Sequence, residues 1–150
     1  MPPFPNVNLP QLNNIHIEVK DVGNAITKLK NNLSAGPDGL LPLFFKGIKN
    51  TITFPLTLLF TQLLYVACVP GIWKKAIITP VHKKGPTNAV TNYRPISITC
   101  VPSKLLERVV SSKIYSHLIH NNILHPQQHG FVRGKSTCTC LLYTSDAADE

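Results

Sequence analysis

Apolar side chains recur at steps of three and four residues in four parts of the chain, which is the spacing of one face of an α-helix. These segments lie at about 18–33, 40–49, 55–68 and 103–121. The first face is formed by Val19, Val22, Ala25, Ile26, Leu29 and Leu33. The pattern therefore predicts four helices that bury an apolar face.

Between the third and fourth helices the pattern changes to that of short strands. Ala76–Ile78 is followed by Pro80, and Ile96–Thr99 is preceded by Pro95. Short β-branched runs bounded by prolines favour strands, and the polar segment 83–91 favours a loop between them. We therefore predict a small antiparallel hairpin within a helix-rich α+β fold.

A Gly-Pro-Asp-Gly sequence at 36–39 separates the first two helices. Pro37 presets φ and Gly39 tolerates positive φ, so we expect a tight reversal that places Asp38 at the start of the second helix. That helix should direct five apolar side chains inward, namely Leu40, Leu41, Phe44, Phe45 and Ile48.

The ends of the other helices carry their own signals. Pro70-Gly71 should stop the third helix. Ser103 is the expected N-cap of the fourth helix, and Asn121-Asn122 is its expected end.

The charge is concentrated in the body of the chain. The formal net charge is +8, but three of the seven acids lie in the last five residues, so residues 1–139 carry fifteen cations against four acids, a net +11. Such an excess attracts polyanions, with nucleic acid the first candidate and an anionic membrane surface the second. A basic, solvated surface without a partner is the alternative.

Cysteines and histidines do not define a site by their spacing. Cys68, Cys100, Cys138 and Cys140 do not form a disulfide framework in a chain of this size, no Cys-x2-Cys or His-x3-His spacing indicates zinc, and no signal-peptide pattern precedes them. We expect reduced thiols in a cytoplasmic or nuclear protein. The longest apolar stretch, 54–69, falls short of the roughly 20 residues that span a bilayer, so it favours a core helix and no membrane partner.

Cations cluster in and around the predicted hairpin. The block 73–85 contains Lys83-Lys84-Gly85, and 92–97 reads Asn-Tyr-Arg-Pro-Ile-Ser. The planar guanidinium of Arg94 can bond phosphate oxygens bidentately, and a lysine can act as a mobile point charge beside it. The alternative for the lysine pair is a surface hairpin whose cations are only solvated.

A further motif lies at 128–137, Gln-His-Gly-Phe-Val-Arg-Gly-Lys-Ser-Thr. It imitates a P-loop, but Gly130 and Gly134 enclose three residues where the phosphate cradle needs four, and no apolar strand leads into it. The segment is therefore not predicted to bind a nucleotide in that way.

Taken in order, the motifs at 36–39, 73–85, 92–97 and 128–131 closely resemble the N-terminal fingers region of reverse transcriptases from non-LTR (LINE-type) retrotransposons. The resemblance covers about residues 15–139. It implies an RNA template, a DNA primer and an incoming deoxynucleotide as partners of the full-length protein, with Mg²⁺ as its cofactor.

The resemblance also assigns residues. Lys83, Lys84 and Arg94 would bind the phosphates of the nucleotide. The template would be contacted by Gln128, Gly130, Phe131, Arg133 and Lys135.

The metal-binding aspartates of such an enzyme are missing from this sequence. Neither an Asp-x-x-x-Ala-Phe-Asp pattern nor a Tyr-x-Asp-Asp pattern occurs, and Asp38 is the only aspartate between residues 22 and 145. A two-metal site needs paired carboxylates. We therefore predict no catalytic and no metal-binding residue in this chain, and no polymerase activity from it alone.

The sequence divides into three parts. Residues 1–14 are rich in Pro and Asn and are expected to be a loose leader, and 15–139 would be a partial reverse transcriptase domain that lacks its palm. Residues 140–150 resemble a translated sequencing adapter, with a genuine acidic tail as the alternative. Without the palm, the apolar faces at 54–69 and 103–121 should be incompletely covered.

Two other interpretations stay open. The chain could be a basic nucleic-acid-binding module without polymerase activity, or a degenerate element that folds only in part.

Overall fold

A computed structural model describes residues 10–31, 34–125, 128–132 and 134–136. It consists of helices α1 (Val19–Thr27), α2 (Pro42–Gly47), α3 (Lys49–Val66) and α4 (Val101–His120), and strands β1 (Ile77–His82) and β2 (Tyr93–Ile98). Short 3-10 helices lie at Gly71–Lys74 and Val90–Asn92. The predicted α+β fold class is confirmed.

The chain divides into two compact units. One comprises Asn14–Lys113, and the other comprises Met1–Asn13 with Ile114–Glu150. The first unit contains the hairpin and the hydrophobic core. That core is formed by Ile17, Val22, Ala25, Ile26, Leu29, Phe45, Leu56, Phe60, Val101, Leu105, Leu106 and Val109.

Helix α1 ends at Thr27, whereas the periodicity predicts a helix to about residue 33. The amide of Leu29 donates to the carbonyl of Ile26 (3.1 Å), an i to i+3 bond that tightens and closes the last turn. Leu29 remains in the core at 4% exposure. Leu29 is therefore a core residue that lies beyond the end of the helix. Leu33, the last residue of the predicted face, lies outside the described residues.

Two predictions for the second helix are wrong. It begins at Pro42 with Leu41 as N-cap, so Asp38 does not start it. Asp38 Oδ1 instead accepts a hydrogen bond from the amide of Leu40 (3.2 Å), a local turn contact that competes with capping.

The helix is also too short to bury the five side chains expected. Among them Phe45 is buried and Ile48 is half-buried, whereas Leu40, Leu41 and Phe44 are exposed. A six-residue helix has room for one buried stripe, and Phe45 occupies it.

Helix α3 begins at Lys49, six residues before the predicted start, and Pro55 lies inside it. Proline in a helix removes one backbone hydrogen-bond donor. Pro55 is exposed, so the missing hydrogen bond lies on the solvent-facing side of α3. The helix ends at Val66, before Pro70-Gly71. Its C-cap Ala67 adopts the left-handed conformation at φ 52°, and the amide of Cys68 donates to the carbonyl of Leu63 (3.3 Å).

Helix α4 begins at Val101, so the prediction of Ser103 as N-cap is wrong. Ser103 lies inside the first turn, and its hydroxyl donates to Glu107 Oε1 (3.2 Å). The predicted end is confirmed, since the helix stops at His120 and Asn122 has φ 50°.

The two strands pair antiparallel, and both are longer at the loop side than predicted. The register joins Ile77 to Ile98 and His82 to Tyr93, with Pro80 directly opposite Pro95. Proline has no amide donor, so it fits a strand where that donor would point away from the partner. In a two-stranded antiparallel sheet, every second pair of opposite residues has both backbone amides directed away from the partner strand. Two prolines can therefore lie opposite each other at such a pair.

Many large apolar side chains remain exposed, which confirms the expected incomplete cover of the long helices. On α3 they include Phe54 (59%), Leu58 (56%) and Tyr65 (86%). On α4 they include Ile114 and Ile119. Among the described residues, no helix combines the length and the apolar character that a membrane span requires.

The Gly36–Gly39 turn packs against the junction between β2 and α4. The amide of Gly39 donates to the carbonyl of Gly36 (3.0 Å), and Gly39 has φ 71°, so the predicted tight turn is confirmed. A Cβ atom added to Gly36 would lie 2.6 Å from the carbonyl oxygen of Thr99 and 2.7 Å from the Cα of Cys100. Since these are backbone atoms, position 36 has no room for any side chain.

Gly36→Ala should therefore lower the free energy of unfolding by about 1–3 kcal/mol, the cost of forcing atoms into a packed site. Gly47→Ala is the matched control, because a Cβ at that position meets nothing within 4 Å. Urea denaturation of both variants measures the difference. Equal stability of the two variants would contradict the assigned packing.

Asp21 forms a charged contact between α1 and α4. Its Oδ2 accepts from the amide of Glu18 (3.0 Å) and from Lys113 Nζ (2.7 Å). Partial burial acts to raise the pKa of the Asp21 carboxyl, but these hydrogen bonds outweigh it, so that the pKa lies below its ordinary value of 3.8. The contact therefore stabilises the fold while Asp21 is ionised.

Asp21→Asn should lower the free energy of unfolding by about 1 kcal/mol at neutral pH. Because the native pKa lies below the unfolded one, this stabilisation is present above the unfolded pKa and is lost as the pH falls through the native pKa. Denaturation of both chains at neutral and strongly acidic pH should show the difference disappearing in acid. A difference that stays constant would contradict the assignment, and Lys113→Met should remove most of the pH dependence.

Candidate nucleic-acid interface

The hairpin is attached to the core at its base. Trp73, which precedes β1, packs edge-to-face on the buried ring of Phe60 with ring centres 6.2 Å apart. Cys100, which follows β2, is fully buried, and its thiol donates to the carbonyl of Ile72 (3.6 Å). Burial raises the pKa of this thiol, which keeps it protonated as the donor.

The loop between the strands is ordered by side chains of the Asn-Tyr-Arg-Pro motif. Asn92 Nδ2 donates to the carbonyl of Pro86 (2.8 Å), and the hydroxyl of Tyr93 donates to the carbonyl of Thr87 (2.9 Å). On the opposite strand, His82 Nε2 donates to the carbonyl of Gly85 (3.0 Å) and its ring packs against Tyr93 at 5.2 Å. Four contacts therefore fix a loop that has little core beneath it.

Gly85 is required by this arrangement. Its φ of 90° is a conformation that other residues rarely adopt, and a Cβ there would lie 2.8 Å from Asn92 Nδ2. The glycine after the two lysines thus lets the chain turn close to Asn92.

The three predicted phosphate-binding residues all lie on this hairpin. Lys83, Lys84 and Arg94 are all exposed. The amide of Lys83 donates to the carbonyl of Asn92 (2.8 Å), one step beyond the last strand pair, and Arg94 lies opposite Val81. Because side chains alternate along a strand, Lys83 follows Val81 onto the face of Arg94.

Among the described residues, no carboxylate pairs with these cations. The ion pairs of Lys20 with Glu18 and of Lys113 with Asp21 both lie outside the hairpin. An exposed guanidinium and ammonium on one face can bond phosphate oxygens together.

A cavity of about 280 Å³ lies against the same face of the hairpin. Its walls are mainly apolar, with Val81, Ile96 and Ile98 from the strands, and Lys104 from the first turn of α4 adds a cation. The sequence did not single out Lys104, because its position on a helix gives no sign that it approaches the hairpin.

The predicted template-contacting residues lie in the other unit of the chain. Gln128 Nε2 donates to the carbonyl of Gly130 (2.8 Å), and the amide of Lys135 donates to the carbonyl of Val132 (3.1 Å). Phe131 has φ 61° and a fully exposed ring. Arg133 lies outside the described residues, and contact of this segment with a template stays a prediction.

Carboxylates do not converge in the part of the chain that the structure describes. Among those residues, no group of three or more His, Cys, Asp or Glu side chains could hold a metal ion. Cys68 and Cys100 are free thiols.

The roles of Asn92 and Tyr93 are not evident from the sequence. In the motif the sequence points to Arg94, whereas the first two residues hold the loop beside the cations. Their position directly before the arginine was the available signal, but hydrogen bonds to carbonyls six residues away leave no periodic pattern.

Comparison with known proteins shows the family of the chain. No protein-family model matches the chain. It is similar to a "Probable RNA-directed DNA polymerase from transposon BS" of Drosophila melanogaster, with 33% identity over 122 residues, which is 81% of this chain and 14% of that protein. It also resembles the corresponding protein from transposon X-element of the same organism, with 30% identity over 78% of this chain and 13% of the relative.

A third relative is a Pol polyprotein from the type-1 retrotransposable element R1 of Bradysia coprophila, 26% identical over 81% of this chain and 12% of the relative. The chain belongs to the family of non-LTR retrotransposon reverse transcriptases. It spans about a seventh of the length of the first of these curated relatives.

Proposed function

We propose that this chain is the fingers region of an RNA-directed DNA polymerase and that its hairpin binds the phosphates of an incoming deoxynucleotide. The observation that carries the proposal is a group of exposed cations, Lys83, Lys84 and Arg94, that have no carboxylate partner among the described residues. Arg94 lies in β2, next to the loop that Asn92 and Tyr93 hold in place. A charged ligand is bound best by groups that need no rearrangement to meet it.

The three cations would act by position and charge. Arg94 can give two parallel hydrogen bonds to one phosphate, while Lys83 and Lys84 supply mobile charge at the loop. None of them is a nucleophile or a base in this role. Their contribution would be to orient and neutralise the phosphates.

The second part of the proposal concerns the partners. Gln128, Gly130, Phe131, Arg133 and Lys135 would contact an RNA template paired with a DNA primer, in a full-length protein that supplies the palm. An exposed aromatic ring such as that of Phe131 offers a stacking surface to a base.

The carboxylates of the described residues do not fit the Mg²⁺ cofactor of such an enzyme. Asp21 is engaged by Lys113 and the Glu18 amide, and no three metal-ligating side chains converge among the described residues. No step of catalysis is therefore assigned to this chain. If the polymerase interpretation failed, nucleic-acid binding by a module without catalysis would remain as the second candidate, favoured by the net charge of +11 over residues 1–139.

A short single-stranded RNA presents the same phosphate oxygens as a nucleotide, so its binding tests the hairpin cations. It should weaken about tenfold in Arg94→Glu, because charge reversal removes one phosphate contact and adds a repulsion. Lys30→Glu is the matched control, since Lys30 is exposed and lies outside the hairpin. Fluorescence anisotropy over a series of salt concentrations measures both the affinity and the slope against salt.

The wild-type affinity should fall steeply as salt rises, and the Arg94 variant should show a smaller slope. Equal losses in the two variants would show that the binding reflects net charge alone. An affinity that does not depend on salt would contradict the electrostatic account.

The purified chain should not extend a DNA primer on an RNA template with either Mg²⁺ or Mn²⁺, because a two-metal site needs converging carboxylates and the described residues offer none. Primer extension with labelled deoxynucleotides tests this directly. Extension that copurifies with the chain through successive columns and exceeds a mock purification would disprove the expectation.

A further inference from the structure

A polar groove separates α1 from α4 on a part of the molecule that the proposed function does not use. The cavity in this groove has a volume of about 110 Å³. Four of its lining residues come from α1 and its C-cap, spaced about one helical turn apart, and three come from α4. These are Asp21, Asn24, Ala25, Lys28, Arg108, Val109 and Ser112. A water molecule has about 30 Å³ of liquid volume, so the cavity has room for one tetrahedral oxyanion.

Arg108 is fixed at this groove by the end of α1. Its Nη1 donates to the carbonyl of Ala25 (3.3 Å), which lies in the last turn of α1 where carbonyls lack helical partners. A guanidinium has five N–H donors in a rigid plane, so this single bond orients Arg108 without exhausting it.

The acidic residue of the groove is already compensated. Asp21 Oδ2 accepts from Lys113 Nζ at 2.7 Å and from the amide of Glu18 at 3.0 Å. With Asp21 paired to Lys113, the positive charges of Lys28 and Arg108 remain. The groove therefore has a net positive charge despite its carboxylate.

The remaining polar side chains of the groove are donors without a partner among the described residues. In the part of the chain that the structure describes, no hydrogen bond or ion pair engages the side chains of Asn24, Lys28 or Ser112. Two cations, an amide and a hydroxyl thus line one small cavity.

We propose that this groove binds a phosphate group, held by Lys28 and Arg108 with support from Asn24 and Ser112. Charge-assisted hydrogen bonds to phosphate are the strongest contacts that such side chains make. The phosphate could belong to a nucleic-acid backbone or to a free phosphate ion, because both present the same oxygens. The proposal does not depend on the hairpin.

The test is a titration of the full 150-residue chain with inorganic phosphate, followed by the amide NMR signals of Asn24 and Ser112. Lys28→Ala/Ser112→Ala should weaken phosphate binding about tenfold, because it removes one charged and one neutral donor. Lys30→Ala/Ser111→Ala is the matched control, since both residues are exposed and neither lines the cavity. Thermal unfolding of both double variants checks that the fold is retained.

Saturable shifts at Asn24 and Ser112 in the wild type, kept by the control and lost at Asn24 in the first double variant, would support the site. No saturable shift in the wild type, or equal loss in both variants, would overturn it. Repeating the titration with the RNA already bound then identifies the source.

If RNA displaces phosphate from the groove, the ligand is a nucleic-acid backbone. If RNA binds without displacing phosphate, the ligand is a free phosphate ion. Either outcome supports the site. Arg94→Glu should leave the phosphate titration unchanged. A failure of the hairpin to bind RNA would therefore be seen separately from a failure of the groove.

Discussion

The close approach of Gly36 to the backbone of Thr99 and Cys100 is the contact on which the unit Asn14–Lys113 depends. At this junction β2 passes into α4, and Cys100 and Val101 are almost completely buried. The thiol of Cys100 also bonds the segment that precedes β1. This one tightly packed contact thus fixes the start of α4 and the base of the hairpin. It tolerates only glycine at position 36. Backbone in contact with backbone cannot adapt by changing a rotamer.

The hairpin needs such an attachment because it has little core of its own. Isolated two-stranded hairpins are marginally stable in water, and Ile78, Val81 and Ile96 are each more than two-fifths exposed here. Stability at the base comes from Trp73 on Phe60, and order at the tip comes from Asn92 and Tyr93. The hairpin that carries the cations is therefore held in place at its base and at its tip. This division of roles explains how an exposed loop can present charge in a defined arrangement.

Local chemistry made much of this architecture predictable from the sequence. The turn at Gly36–Gly39, the hairpin and the end of α4 follow from glycine, proline and asparagine acting on the backbone beside them. Errors arose where a distant or competing contact decided the outcome. Asp38 bonded Leu40 rather than capping a helix, and Pro55 lies inside a helix that it was expected to begin. Arg108 meets Ala25 across 83 residues of sequence, and no periodic pattern encodes such a contact.

The central proposal is that the hairpin cations bind phosphate groups, which a single-stranded RNA presents along its backbone. Photo-crosslinking to a single-stranded RNA containing 4-thiouridine, followed by mass spectrometry of the digested protein, tests it most directly. The account predicts crosslinked peptides from the hairpin segment Ile77–Ile98, enriched over those from the exposed apolar face of α3. Crosslinks that occur on α3 and other exposed surfaces as often as on the hairpin would contradict it.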